Sequence, residues 1–154
     1  MIAPMAHPHL PTTEAAVVAI REIAQEFNLE MTVTDDIGAD RTSRRISSGA
    51  FAVLDADGSL PHEAYVELGG SPSVTVQIFP EDDARIIVEG VTFEDVPRDA
   101  VPAFVRSLHS GLAHVQGRFF PPGWRLVVPL PGDETYKELV PGVSLTPWMS
   151  RHTR

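Results

Sequence analysis

From residue 46 to residue 93 the chain runs largely on a period of two, and no other feature restricts its fold as strongly. In "ISSGAFAVLD", Phe51 and Val53 alternate with Ala52 and Leu54; in "SVTVQIF", Val74, Val76 and Ile78 alternate with Thr75 and Gln77. "AYVELGG" lies between them and "ARIIVEGVTF" follows. Alternation of this kind sends successive side chains to opposite faces of a strand. The breaks "DADGSLPHE", "GGSP" and "PEDD" consist of turn residues. Strands joined by such short turns make a four-stranded antiparallel meander, half buried on one face.

Helical spacing brackets the meander. In "PTTEAAVVAIREIAQEFNLE", Val17, Ile20, Ala24 and Phe27 form one apolar stripe with Ile23 beside it, and Arg21, Glu22, Gln25 and Glu26 fill the other side. Thr12 or Thr13 caps the free N–H groups, Glu14 suits the positive end of the dipole, and Asn28 closes the helix in a left-handed conformation. "EMTVTDD" reads as a short strand and "IGADRTSRR" as a loop. A second helix is predicted in "DVPRDAVPAFVRSLHSG", with Asp99 as cap, Pro102 in the first turn, Gly111 at the end, and Val101, Phe104, Val105 and Leu108 as its apolar face. Three strands follow, "LAHVQGRFF", "WRLVVPL" and "TYKELV"; Pro129 cannot donate to a ladder, so its strand belongs at an edge or carries a bulge.

The predicted class is α+β: an N-terminal helix, a four-stranded antiparallel meander, a second helix and C-terminal strands, with the helices on one face of the sheet. The organisation expected is a flexible, proline-rich arm over residues 1–11, a single domain over 12–140, and an irregular tail over 141–154 that Trp148 can dock. The length, 154 residues, suits one domain with a core of its own.

The stretch "RFFPPGWR" holds three of the nine Phe and Trp residues, with an arginine at each end. "PPGW" has Pro at the second and Gly at the third position of a type II turn. Phe119 and Phe120, consecutive in a strand, point to opposite faces, so one enters the core and the other faces solvent, the protein itself or a partner. Because Trp and Arg are enriched at interface centres, Phe120, Trp124 and Arg125 are the candidate partner-binding residues.

Composition removes several function classes. There is no cysteine, hence no disulfide framework, thiol catalysis or Cys-based metal site, and a cytoplasmic location fits. The net charge is −9, and the only basic cluster, Arg41, Arg44 and Arg45, directly follows Asp35, Asp36 and Asp40. Nucleic-acid binding is therefore not expected, whereas attraction to a basic partner is. Eleven of the twelve basic residues are arginine, a bias of GC-rich, bacterial coding. No apolar run approaches a membrane span, and "MIAPMAHPHLPTTE" lacks the basic and apolar regions of a secretory leader.

No catalytic or metal motif survives inspection. "DADGS" offers Asp55, Asp57 and Ser59 as calcium ligands, but a calcium loop needs Gly at position 6 and a carboxylate at 12, where Leu60 and Val66 stand. The histidines His7, His9, His62, His109, His114 and His152 form no zinc spacing. No serine sits in a nucleophile elbow, and "GGSPS" lacks the lysine and helix of a phosphate loop. Glu67, Glu89 and Glu94 could supply a carboxylate pair, but nothing in their spacing selects one, and Glu81 to Asp83 reads as a solvated hairpin tip. No cofactor is expected.

The order of elements, the acidity and the small size resemble those of bacterial immunity proteins and of secretion-chaperone-like α+β proteins. The resemblance is one of architecture and implies no functional residue. It implies a non-enzymatic protein-binding domain. The alternative is a small enzyme or ligand-binding domain with a pocket between sheet and helices, using His109, His114 and a sheet carboxylate. A homodimer through the aromatic hairpin or the Pro129 strand is a third arrangement.

Overall fold

A computed structural model describes residues 7–35, 63–119, 122–142 and 144–154. Helix α1 spans Thr13–Glu26, and Thr12 caps it: its side-chain oxygen accepts the Ala15 N–H at 2.9 Å. At the other end Asn28 takes φ 61°. The Leu29 N–H then reaches the Ala24 carbonyl at 2.7 Å and the Asn28 N–H the Gln25 carbonyl at 3.3 Å, the paired bonds of a Schellman closure. Ala16, Val17, Ile20, Ile23 and Ala24 are buried.

Five strands follow as an antiparallel sheet in chain order: β1 Met31–Asp35, β2 Ala64–Leu68, β3 Val74–Ile78, β4 Asp83–Val88 and β5 Val91–Pro97. This corrects the four-stranded meander. The expected strand in "ISSGAFAVLD" lies outside the described residues. "EMTVTDD" is the edge strand β1, paired with β2. "ARIIVEGVTF" is two strands, because Glu89 (φ 50°) and Gly90 (φ 85°) form a two-residue reversal of type I′ sign, which the apolar residues on both sides conceal. Burial alternates along β2, β3 and β4, so one face faces the core. On β5 the alternation slips at Glu94 and Asp95, where the register shifts and Asp95 takes φ 55°; the extra residue is a bulge.

A 3₁₀ turn, Arg98–Ala100, leads into helix α2, Val101–His109. Val101, Phe104, Val105 and Leu108 are buried as expected, and Gly111 closes the segment at φ 85°. Asp99 does not cap this helix. It lies inside the 3₁₀ turn, and its carboxylate accepts the Leu10 N–H at 2.7 Å instead.

The second sheet contains β6 His114–Arg118, β7 Gly123–Leu130 and β8 Glu134–Leu139, with β7 in the middle. The Pro129 strand is therefore not an edge strand. Pairing with β6 ends at Val127, so Pro129 lies beyond β6 and no ladder bond to that neighbour is lost. Residues 141–154, expected as irregular, carry helix α3, Pro147–Arg151, capped by the Thr146 side chain, with Trp148 and Met149 buried. Its end pairs with the edge of β6: the Val115 N–H donates to the His152 carbonyl at 2.8 Å, and the Arg154 N–H to the Val115 carbonyl at 2.9 Å.

One apolar cluster joins α1, α2, α3 and both sheets. Phe104 sits between the sheets, edge-on to Phe93 of β5 at 5.0 Å and 5.5 Å from Tyr136 of β8. Residues 7–11 are docked by polar contacts. Arg98, only 4% exposed, donates Nε to the Leu10 carbonyl and Nη2 to the Pro11 carbonyl, each at 2.8 Å, and pairs with Asp82. His7 Nε2 lies 2.6 Å from Glu134, and His9 Nδ1 3.3 Å from Asp99.

Candidate functional site

The β6–β7 hairpin places the aromatic stretch at one end of the second sheet. Arg118 pairs with Gly123 at the end of the β6–β7 ladder. The expected type II turn is not formed at Gly123: that glycine is the first residue of β7 and is absent from the left-handed region. Its pairing with Arg118 demands extended backbone. Phe119 follows the last residue of β6 and is 97% exposed.

Of the candidate binding residues, Phe120 lies outside the described residues. Trp124 is half-buried and packs against the core, with its ring across Gly117, where a Cβ would come within 3.5 Å of Cζ3. Arg125 is half-buried, paired with Gln116 and Leu139. Successive strand residues face opposite ways, so Trp124 and Arg125 do not share a face. An open concavity of about 330 Å³ is bounded by Arg118, Pro122, Gly123 and Trp124.

A larger groove, about 410 Å³, runs between the end of α1, α2, the docked arm and the β7–β8 turn. Phe27, Pro8, Pro102, Leu112, Pro129 and Pro131 make its walls apolar. Arg106 at its rim pairs with Glu26. Sequence reasoning missed it because its walls come from segments far apart in the chain.

The catalytic alternatives are dispersed. His109 packs on Phe27 at 5.9 Å; its Nε2 is buried without a partner among the described residues, and burial lowers its pKa. His114 lies on β6 with Nδ1 3.1 Å from the Leu112 carbonyl. Neither histidine lines the groove. Glu89 accepts the Ser73 N–H at 2.7 Å. Glu94 Oε1 lies 2.8 Å from Arg85 Nε, close enough for an ion pair though off the hydrogen-bond direction. Glu67 is exposed beside Glu30. The calcium candidates Asp55, Asp57 and Ser59 lie outside the described residues. Among the described residues no cluster of His, Asp and Glu could hold a metal, and no helix is long and apolar enough to cross a membrane.

Two further groups are perturbed by structural contacts. Burial acts to raise the Asp99 carboxyl, but the Leu10 N–H, with His9 and Arg98, outweighs it and holds the pKa below the usual value. Burial and the adjacent Glu134 carboxylate, whose Oε1 accepts the Tyr136 hydroxyl at 3.3 Å, push the Tyr136 phenol up to about 12.

Comparison with known proteins finds no match among family models, curated sequences or solved structures.

Proposed function

We propose that the chain is a non-enzymatic protein-binding domain, of the immunity or secretion-chaperone kind, that grips its partner with the β6–β7 hairpin. Helices layered on one face of the first sheet belong to the same reading. The observation that carries it is Phe119, 97% exposed at the tip of a hairpin that the rest of the fold holds in place. Fully covering a phenylalanine contributes roughly 1.5–3 kcal/mol. Trp124 backs the hairpin on one face, and Arg125 flanks it on the other.

The test is affinity capture from native extract with the wild-type protein and Phe119→Ala. A partner held by the first and lost by the second, at equal melting temperature, supports the reading. Identical capture by both proteins overturns it.

The apolar groove favours a second reading, a ligand-binding domain, because its volume lies in the range of small-molecule sites. A melting-temperature screen against apolar small molecules tests it. Stabilisation that Ala103→Trp abolishes would support that reading, and no stabilisation would remove it.

A further inference from the structure

The outer face of the second sheet carries the opposite sign to the protein. Strand register decides which residues share it. Arg118 pairs with Gly123; Gln116 with Arg125 and Leu139; His114 with Val127 and Lys137. Cross-strand partners lie on the same face, as do residues two apart. These rows therefore share one surface, and none of their members is a carboxylate. Core contacts confirm which way it points: Leu126 and Val128 belong to the main apolar cluster, whereas Val127 between them, though only 4% exposed, does not.

Three cations stand on this face without ion-pair partners among the described residues: Arg118, Arg125 and Lys137. Elsewhere among the described residues Arg85, Arg98 and Arg106 are each paired with a carboxylate, Arg151 and Arg154 donate to the Ser71 hydroxyl and the Gly111 carbonyl, and Arg21 stands on α1. In a chain with 21 acidic and 12 basic side chains, a face whose described residues include three cations and no carboxylate runs against the overall charge.

Their spacing is also regular. Arg118 on β6, Arg125 on β7 and Lys137 on β8 are successive diagonal neighbours in the register. Diagonal positions of this kind lie about 7–8 Å apart. Alternate residues of an extended chain are about 6.6–6.8 Å apart. An extended segment crossing the sheet with a carboxylate at every second residue would place one opposite each cation, and the long basic side chains absorb the small mismatch. Leu139, 55% exposed on the same face, gives the segment an apolar contact at one flank.

We infer that this face docks an extended acidic segment of a partner protein, with carboxylates two residues apart and apolar residues among them. The inference rests on the protein-binding reading and specifies its chemistry. The net charge of −9 favours basic partners at long range, but the contact surface beside the hairpin selects acidic ones.

The test is fluorescence anisotropy with a labelled peptide that alternates glutamate with leucine and serine, at low and moderate salt. A matched peptide with lysine for glutamate, a single-stranded oligonucleotide and anionic vesicles serve as comparisons. The acidic peptide should bind best and weaken with salt. Arg125→Glu and Lys137→Glu should each weaken it by about tenfold, while Arg21→Glu on α1, with the same change in net charge, should weaken it by less than about twofold. Lys137 is exposed, so its variant keeps the test valid if Arg125→Glu disturbs folding. No binding of the acidic peptide, equal binding of the lysine peptide, equal losses from all three variants, or preference for the oligonucleotide or vesicles would each overturn the inference. So would a dimer in light scattering that Lys137→Glu dissociates, because the occupant would then be a second copy. Phe119-dependent capture with no acidic preference would sink this inference alone; capture indifferent to Phe119 would sink the reading beneath it.

Discussion

Replacing Arg98 with alanine should destabilise the protein by about 3 kcal/mol, because a buried guanidinium makes charged hydrogen bonds that nothing else in the fold can replace. Arg98 is 4% exposed and donates to the carbonyls of Leu10 and Pro11, both at 2.8 Å. Hydrogen bonds from a charged donor contribute about 1.5–3 kcal/mol each. The Pro11 contact is only part-buried, so water recovers some of its loss, whereas the Leu10 carbonyl beside a buried leucine is left unsatisfied. Asp82 is 84% exposed, and its ion pair adds no more than about 1 kcal/mol.

Urea denaturation followed by tryptophan fluorescence reads the global loss, and hydrogen exchange at the Leu10 amide reads the docking of the arm. Arg98→Lys should recover less than half of the loss, since an ammonium group is a single point of charge and cannot span two carbonyls and a carboxylate as the guanidinium fork does. A loss below about 1 kcal/mol in Arg98→Ala, with Leu10 protection unchanged, would refute this account of how the arm is held.

Asn28→Ala should lower stability by about 1 kcal/mol and Asn28→Gly should not, because φ 61° is strained for alanine and free for glycine; thermal melting distinguishes them. Gly90→Ala at φ 85° should cost about 1 kcal/mol although open space surrounds the new Cβ, and urea denaturation measures it. Burial lowers the His109 pKa from 6.5, so the neutral form is the one folding favours. Its contribution is present above the unfolded pKa and is lost as pH falls below 6.5 toward the folded value. His109→Phe removes both this acid loss and an unpartnered buried nitrogen, so its melting temperature relative to wild type should rise between pH 7.5 and pH 5.5 (both about one unit from the free value). A constant difference across that range would count against the buried-neutral assignment.

Local signals in the sequence were reliable where structure is local. Thr12, Asn28 and the apolar stripes of α1 and α2 each depend on neighbours within a turn or two, and each stands where spacing puts it. Asp99 shows the limit. As an isolated aspartate before an apolar helix it has the chemistry of a cap, but its N–H donor comes from Leu10, 89 residues away, and arm docking wins over local capping. The β4–β5 reversal was hidden for another reason: Glu89 and Gly90 occupy only two positions inside an apolar run, and the strands on either side read as one. The hairpin was legible as a reversal, but the position of its turning residues was not, because the pairing of Arg118 with Gly123 depends on register.

The same dependence on register explains why net charge pointed away from the surface beside the hairpin. Taken singly, "HVQGR" and "GWRLVVPL" carry one arginine each, whereas "ETYKEL" sets two glutamates against one lysine. Folding sorts them by parity. Glu134 and Glu138 share their side of β8 with Tyr136, and Glu134 is engaged by His7, while Lys137 falls on the outer face with Arg118 and Arg125. The first sheet sorts its exposed side the other way, with Glu67 exposed at the surface and Arg85 matched by Glu94. Electrostatic attraction between surfaces a Debye length apart, about 8 Å at physiological salt, depends on the local face and not on the sum over the molecule. A chain of net charge −9 can therefore repel an acidic partner at a distance and still hold an acidic segment on contact, with an affinity that weakens as salt screens the three local pairs.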